Sequence, residues 1–267
     1  MAQLGVNGAQ LGYDEGGQGA PPFVFVHGWA GDRSFWQPQF DGLSADFHCV
    51  SLDLRGCGES AADPPYDLTQ AAEDVAAVIE DREMGAAIVV GHDLGGLVAL
   101  LANSRHEERV LGVVVADPPL DSAARGAMGG LATQIRDGGS MEPASVFFDR
   151  FFDESTDSAV REHVEARMLG CDPAVAAGQL TDNGYFSQEL GVLLQEADKK
   201  PFMALWGERP QGDPERLRQI TMYMRQEPVT GAGHFFQLEK PAMTNALLRA
   251  FVDDVRRDPR IGTASAD

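Results

Sequence analysis

Ala87-Ile88-Val89-Val90-Gly91-His92-Asp93-Leu94-Gly95-Gly96-Leu97-Val98-Ala99-Leu100 holds the turn on which the reading of this chain depends. An apolar run from Ala86 to Val90 has the length and β-branched content of a buried strand. From Leu97 to His106 the chain reads as an apolar helix. Between them lies Gly91-x-Asp93-x-Gly95. Glycines on either side of residue 93 allow a sharp strand-to-helix turn and close packing of the helix on the strand. That turn lifts side chain 93 above the sheet edge, at a helix N-terminus where backbone N–H groups favour negative charge. A plain helix cap is the bland alternative for an aspartate there.

The same alternation continues in both directions. Leu4 to Asp14 is expected to be a hairpin around Asn7-Gly8. Strands are expected at Phe23–Val26, Cys49–Leu54, Val110–Ala116, Phe202–Trp206 and Gln226–Val229. Helical spacing marks Ser34–Leu43 and Asp67–Glu83, with Asp67 as N-cap of the second. Apolar strands alternating with helices describe a mostly parallel central sheet covered by helices on both faces. Between Pro118 and about Ala197 no strand pattern appears. The expected organisation is therefore a core of residues 1–119 and 198–257, a helical cap at 120–197, and a frayed tail at 258–267. A cap of that size would cover the carboxyl edge of the sheet, where such folds bind ligands.

The chain has 267 residues and a formal net charge of −20, from 41 Asp+Glu against 21 Lys+Arg, of which only Lys199, Lys200 and Lys240 are lysine. That excess argues against DNA, RNA or anionic membranes as partners. It fits a solvated acidic surface, with adaptation to high salt as the sharper alternative. No run approaches a membrane span, and no basic segment followed by an apolar core opens the chain, so neither a span nor a secretory leader is expected. Cys49, Cys57 and Cys171 lack metal-type spacing and read as free thiols of a reducing cytoplasm, with Cys49 buried. No metal or cofactor motif is present, so none is expected. The expected partner is a small-molecule substrate, and the expected state a monomer or small homo-oligomer.

Four stretches together resemble the α/β-hydrolase superfamily across nearly the whole chain. They are His27-Gly28-Trp29, Asp53-Leu54-Arg55-Gly56-Cys57-Gly58-Glu59-Ser60, Gly91 to Gly96, and Gly231-Ala232-Gly233-His234-Phe235. The resemblance implies a nucleophile at Asp93, a catalytic histidine at His234, and an oxyanion hole from the backbone N–H groups of Trp29 and Leu94. Most members carry serine at the elbow. Aspartate there resembles haloalkane and haloacetate dehalogenases and epoxide hydrolases. A carboxylate displaces halide from, or opens an epoxide at, an sp³ carbon, and histidine-activated water then hydrolyses the alkyl-enzyme ester. Asp117 is favoured as the acid that orients His234, as in some Asp-nucleophile members; Glu208 and Asp213 stay open. Asp53 and Arg55 are read as structural, His27 as shaping the oxyanion turn, His92 as packing and His163 as surface.

No subfamily matches in full. Leu94 stands where haloalkane dehalogenases carry an indole donor and haloacetate dehalogenases an arginine. Trp29 is the nearest indole, with packing its expected role. Arg125, Arg136 and Arg150 are the cap arginines available for a substrate carboxylate. The paired cap tyrosines of epoxide hydrolases reduce to Tyr185. Phe147, Phe148, Phe151, Phe152, Phe186, Met141 and Met168 suggest an apolar lid over a small to medium, uncharged substrate. Phe147, Phe151, Tyr185 and Phe235 are the expected substrate contacts. Two other readings stand beside this one: a carboxylesterase or lactonase with Asp93 in place of serine, and a non-catalytic ligand-binding protein of the same fold.

Overall fold

The computed structural model describes residues 2–120, 122–152, 156–181 and 189–259, and residues 122–127, 147 and 149 by backbone alone. The strands are β1 (Ala2–Val6), β2 (Ala9–Gly16), β3 (Phe23–Val26), β4 (Cys49–Leu52), β5 (Ala61–Ala62), β6 (Ala87–His92), β7 (Val110–Ala116), β8 (Phe202–Trp206) and β9 (Arg225–Pro228). The α-helices are α1 (Gln37–Leu43), α2 (Leu68–Asp81), α3 (Leu94–Arg105), α4 (Ser122–Gly138), α5 (Phe148–Phe151), α6 (Ser158–Leu169), α7 (Pro173–Gln179), α8 (Leu190–Ala197), α9 (Pro214–Ile220), α10 (Phe236–Glu239) and α11 (Pro241–Arg257). From Ser122 to Ala197 the described residues form helices and turns only, as the sequence pattern required.

The described strands form one sheet in the order β1-β2-β4-β3-β6-β7-β8-β9, with β5 beside β2. Pairing is parallel from β4 through β9 and antiparallel at β1, β2 and β5. The β1–β2 hairpin closes through Asn7 and Gly8, both in the left-handed region that this two-residue turn requires. Alternate residues of the central strands feed two cores. Val24, Val26, Val89, Val113 and Val115 pack on one face. Phe23, Phe25, Ile88, Val90, Val114 and Met203 pack on the other. This is the α/β-hydrolase fold expected above.

β3 and β6 pair directly, yet the chain leaves β3 for β4 on one side and continues from β6 to β7 on the other. The strand order therefore reverses between β3 and β6. Ligands of open α/β sheets bind beyond the carboxyl ends of the strands at such a reversal. Among the described residues, no helix is long and apolar enough to cross a membrane.

Candidate active site

The turn after β6 is forced by its glycines. A Cβ on Gly91 would lie 1.9 Å from the Gly95 carbonyl oxygen, and one on Gly95 would lie 2.5 Å from the carbonyls of Val26 and His27. Only hydrogen fits at either place, so α3 starts directly against β3 and β6. Residue 93 bears the resulting strain. Asp93 has φ 51° and ψ −122°, a backbone conformation that a non-glycine residue holds only under local constraint. Its N–H donates to the Ala116 carbonyl at 2.9 Å, which ties the turn to β7.

The Asp93 carboxylate projects beside the loop that follows β3. Gly28 permits this approach, since a Cβ there would meet the Asp93 Cβ at 2.8 Å. The Trp29 N–H donates to Asp93 Oδ2 at 2.9 Å. The Leu94 backbone N–H also favours the charged form of this carboxylate. The two N–H groups expected to form an oxyanion hole thus converge on the side chain of residue 93 itself. Burial pushes the Asp93 carboxyl above its ordinary range; His234 and the two N–H groups pull it back, and Asp117 adds to the rise.

His234 comes from the loop between β9 and α10. Its Nδ1 lies 2.6 Å from Asp117 Oδ2, and both side chains are almost fully buried. A carboxylate only accepts, so Nδ1 carries the proton and Nε2 is left as a base. Asp117 follows β7 directly and has φ 45°. Its other oxygen accepts from the Gln211 N–H at 3.1 Å. The two alternative acids serve elsewhere: Glu208 accepts from the Gly231 N–H, and Asp213 caps α9.

The surroundings hold the His234 ring in place. Phe151 from the cap stacks on it, with centroids 4.7 Å apart, and Phe235 meets it edge-on. His92 Nε2 donates to the His234 carbonyl at 3.0 Å. Burial, first among its causes, holds the His92 imidazole well below the ordinary range and therefore neutral. His27 is also pushed down by burial; its Nε2 accepts from the Leu54 N–H and its Nδ1 lies 2.8 Å from the Gly28 carbonyl, which holds the loop after β3. Asp53 binds Arg33 and the Glu59 N–H, and Arg55 forms a buried pair with Asp74, both structural as expected.

Several expectations change. Phe235, expected as a substrate contact, is 2% exposed and packs among Phe35, Phe151, Phe152 and the two histidines. Phe148, Phe152, Met141 and Met168, expected to line a lid, are buried in the core. His163, expected at the surface, bonds Ser34 Oγ at 2.9 Å and joins the cap to the core. Arg136 and Arg150 are exposed. Tyr185, Phe186, the side chains of Phe147 and Arg125, and residues 260–267 of the expected tail lie outside the described residues.

Tryptophan matters most for the chemistry. The Trp29 indole N–H donates to the Ala176 carbonyl of α7, Trp36 to the Val26 carbonyl, and Trp206 to Gln226. All three indoles of the chain are therefore engaged within the protein. Gln179 was not singled out by sequence. It lies in α7, and its Oε1 accepts from the Ala30 N–H at 3.0 Å, next to Trp29.

Comparison with known proteins places these features in context. Residues 23–247 match the model described as alpha/beta hydrolase family. The chain is similar to a dihydrolipoyllysine-residue acetyltransferase component of the acetoin cleaving system of Pseudomonas putida, 27% identical over 90% of this chain and 65% of that protein. It is 41% identical to a pimeloyl-[acyl-carrier protein] methyl ester esterase of Vibrio atlanticus over 41% of each chain. The chain thus spans 65% of the length of the first relative and aligns with 41% of the second. In structure it is similar to a thermophilic esterase from Thermogutta terrifontis, with a TM-score of 0.83, 22% identity and coverage of 96% and 99%. At that identity the likeness concerns the fold.

Proposed function

The chain belongs to the alpha/beta hydrolase family, and from that premise we propose that it is a hydrolase in which Asp93 is the covalent nucleophile toward an sp³ carbon. The observation that carries this reading is the 2.9 Å bond from the Trp29 N–H to Asp93 Oδ2. The carboxylate's own oxygen occupies the site that an ester carbonyl would need. The other oxygen, Oδ1, is left to attack. Asp93 Oδ1 forms a bond to the substrate carbon as the carbon–halogen or carbon–oxygen bond of an epoxide breaks. The electron pair leaves on halide, or on an alkoxide that then takes a proton from solvent water.

His234 Nε2 next accepts a proton from water, and the hydroxide adds to Cγ of Asp93. The negative charge develops on Oδ2, which already accepts from the Trp29 N–H. Asp117 holds the His234 ring and stabilises its positive charge. Collapse breaks the bond between Cγ and the alkyl-bearing Oδ1. The departing alcohol oxygen takes the proton back from His234, and Asp93 is restored as carboxylic acid, then carboxylate. An epoxide is the favoured electrophile. Its leaving oxygen remains on the product, whereas a departing halide would lack the indole donors that the three tryptophans commit elsewhere.

A second reading, ester or lactone hydrolysis, is favoured by the Vibrio relative's name. It requires the substrate carbonyl to displace Asp93 Oδ2 from the Trp29 N–H. One experiment separates the readings. His234→Gln is incubated with a panel of epoxides, haloalkanes and esters, and the intact protein is weighed. The proposal expects an alkyl adduct on the peptide containing Asp93. Wild-type enzyme in a single turnover in ¹⁸O-water should place the label in Asp93, not in the product. Ester turnover by wild type with no adduct from any panel member would overturn it.

A further inference from the structure

We propose that Gln179 is a positioning residue for the oxyanion hole, so that the cap and not the core alone sets the donor at Trp29. The inference rests on the reading that the Trp29 N–H acts as an oxyanion donor. Helix α7 reaches the β3 loop at two points one turn apart. The Ala176 carbonyl accepts from the Trp29 indole at 3.0 Å, and Gln179 Oε1 accepts from the Ala30 N–H at 3.0 Å. Residues three apart lie on one helix face, so a single rigid surface grips both the side chain of Trp29 and the peptide that follows it.

That peptide needs holding. Ala30 has φ 51°, a left-handed conformation that alanine adopts at a cost. Gln179 is itself fixed from its other end, where Nε2 donates to Cys57 Sγ at 3.1 Å. The side chain is 3% exposed. A buried amide bonded at both ends has one available orientation, and its Oε1 points at Ala30. Without that acceptor the Ala30 N–H is buried and unpaired, and the strained peptide relaxes. Relaxation at Ala30 rotates the adjoining Trp29 unit, whose N–H must point at Oδ2.

The test compares Gln179→Met, which keeps the shape and removes the acceptor, with Gln179→Glu, which keeps an acceptor oxygen at the same place. Should Q179M fail to fold, Gln179→Asn replaces it, because its shorter amide falls short of Ala30. Turnover is measured with 1,2-epoxybutane and with p-nitrophenyl acetate. Amide hydrogen exchange is measured on the peptide spanning Trp29 and Ala30. Q179M is expected to lose about tenfold in kcat on whichever probe is turned over, less than deletion of a hole donor removes, with KM changed less than about twofold. Q179E is expected to stay within about twofold of wild type. Exchange at Ala30 should rise in Q179M and stay slow in Q179E.

In the His234→Gln background, the rate of adduct formation on Asp93 should not change with Q179M, since the hole serves the second step. Equal kcat and equal Ala30 exchange in Q179M and wild type would overturn the proposal. So would equal damage from Q179M and Q179E. Failure of the Asp93 chemistry shows separately, as acetate ester turnover without any adduct. In that case the acetate probe and the exchange data still decide the role of Gln179.

Discussion

Replacing Asp117 with asparagine should stall the enzyme halfway through its cycle. Asparagine tolerates the left-handed backbone at φ 45°, so the turn after β7 is preserved. The change acts through two bonds. One Asp117 oxygen accepts from the Gln211 N–H, and the other faces His234 Nδ1 at 2.6 Å. An amide has one accepting oxygen, and the Gln211 N–H demands it. The amide NH₂ then meets Nδ1, which must become the acceptor, so the ring proton moves to Nε2. In that tautomer His234 cannot take a proton from water. In serine proteases the corresponding change lowers kcat by about 10⁴. Here the expected loss in ester hydrolysis is about 10³–10⁴, or ~4–5.5 kcal/mol at ~1.4 kcal/mol per decade. Formation of the ester needs no base, because Asp93 attacks as a carboxylate. Rapid quenching followed by intact-mass measurement should therefore show one equivalent of adduct formed at the wild-type rate and then persisting. Equal slowing of both steps would refute the division of labour, and rapid hydrolysis in D117N would remove Asp117 from the mechanism.

Asp93→Asn should abolish turnover and stabilise the fold at neutral pH. The folded carboxyl is held above its ordinary value by burial, so its stabilisation is present below the unfolded pKa and is lost as pH rises through the folded pKa. The melting temperature of D93N should exceed wild type at pH 7, and the gap should close as the pH falls below the ordinary carboxylate range, about pH 3. An unchanged gap across that range would contradict the burial account. Burial pushes the Cys49 thiol up to about 12, and Cys57 is pushed well up by its hydrogen bond with Cys171 and by burial. Thiol titration at pH 8 should thus find one fast cysteine, Cys171, and all three only in denaturant; fast reaction at Cys57 would count against its enclosure. Bromide should quench tryptophan fluorescence without saturation, since all three indole N–H groups are engaged internally. Saturable quenching at millimolar bromide would instead reveal an indole halide site.

The sequence disclosed those parts whose causes are local. Phe23–Val26, Val110–Ala116 and Phe202–Trp206 match the expected strands residue for residue. They are buried on both faces, and an uninterrupted apolar run is the only pattern that permits this. The helix expected at Ser34–Leu43 is instead a 3₁₀ turn at Arg33–Trp36 followed by α1, because Asp32 caps the first turn and a proline stands at the start of the second. Helix α3 begins at Leu94 rather than Leu97, since Gly95 and Gly96 are helical where they press against β3 and Pro118. Asp93, Asp117 and His234 were legible because each follows a recognisable strand end or turn. Gln179 was not: its contact with Ala30 spans 149 residues and leaves no mark on local spacing. The same holds for His163 and Ser34, which meet across 129 residues.

The oxyanion hole gives the reason one side chain at the elbow redirects the chemistry. Two N–H groups stabilise whichever oxygen lies between them, and the carbon bearing that oxygen is the one that water or a nucleophile attacks. A serine hydroxyl leaves the place open, so a substrate carbonyl enters and the substrate is attacked. In the proposed mechanism Asp93 fills it with its own Oδ2, which accepts from the Trp29 N–H, and the carbonyl under attack becomes that of the enzyme. The substrate in that mechanism needs no carbonyl at all; it needs only an sp³ carbon that a carboxylate can attack. His234 and Asp117 need no rearrangement for this change, because they activate water in either case. The consequence is a cost in stability rather than in geometry. Asp117 is fully buried and Asp93 half-buried, and desolvation opposes ionisation of the group that the proposed mechanism needs charged. The Trp29 N–H that would later hold the intermediate also holds the resting carboxylate, and so opposes the rise that burial imposes.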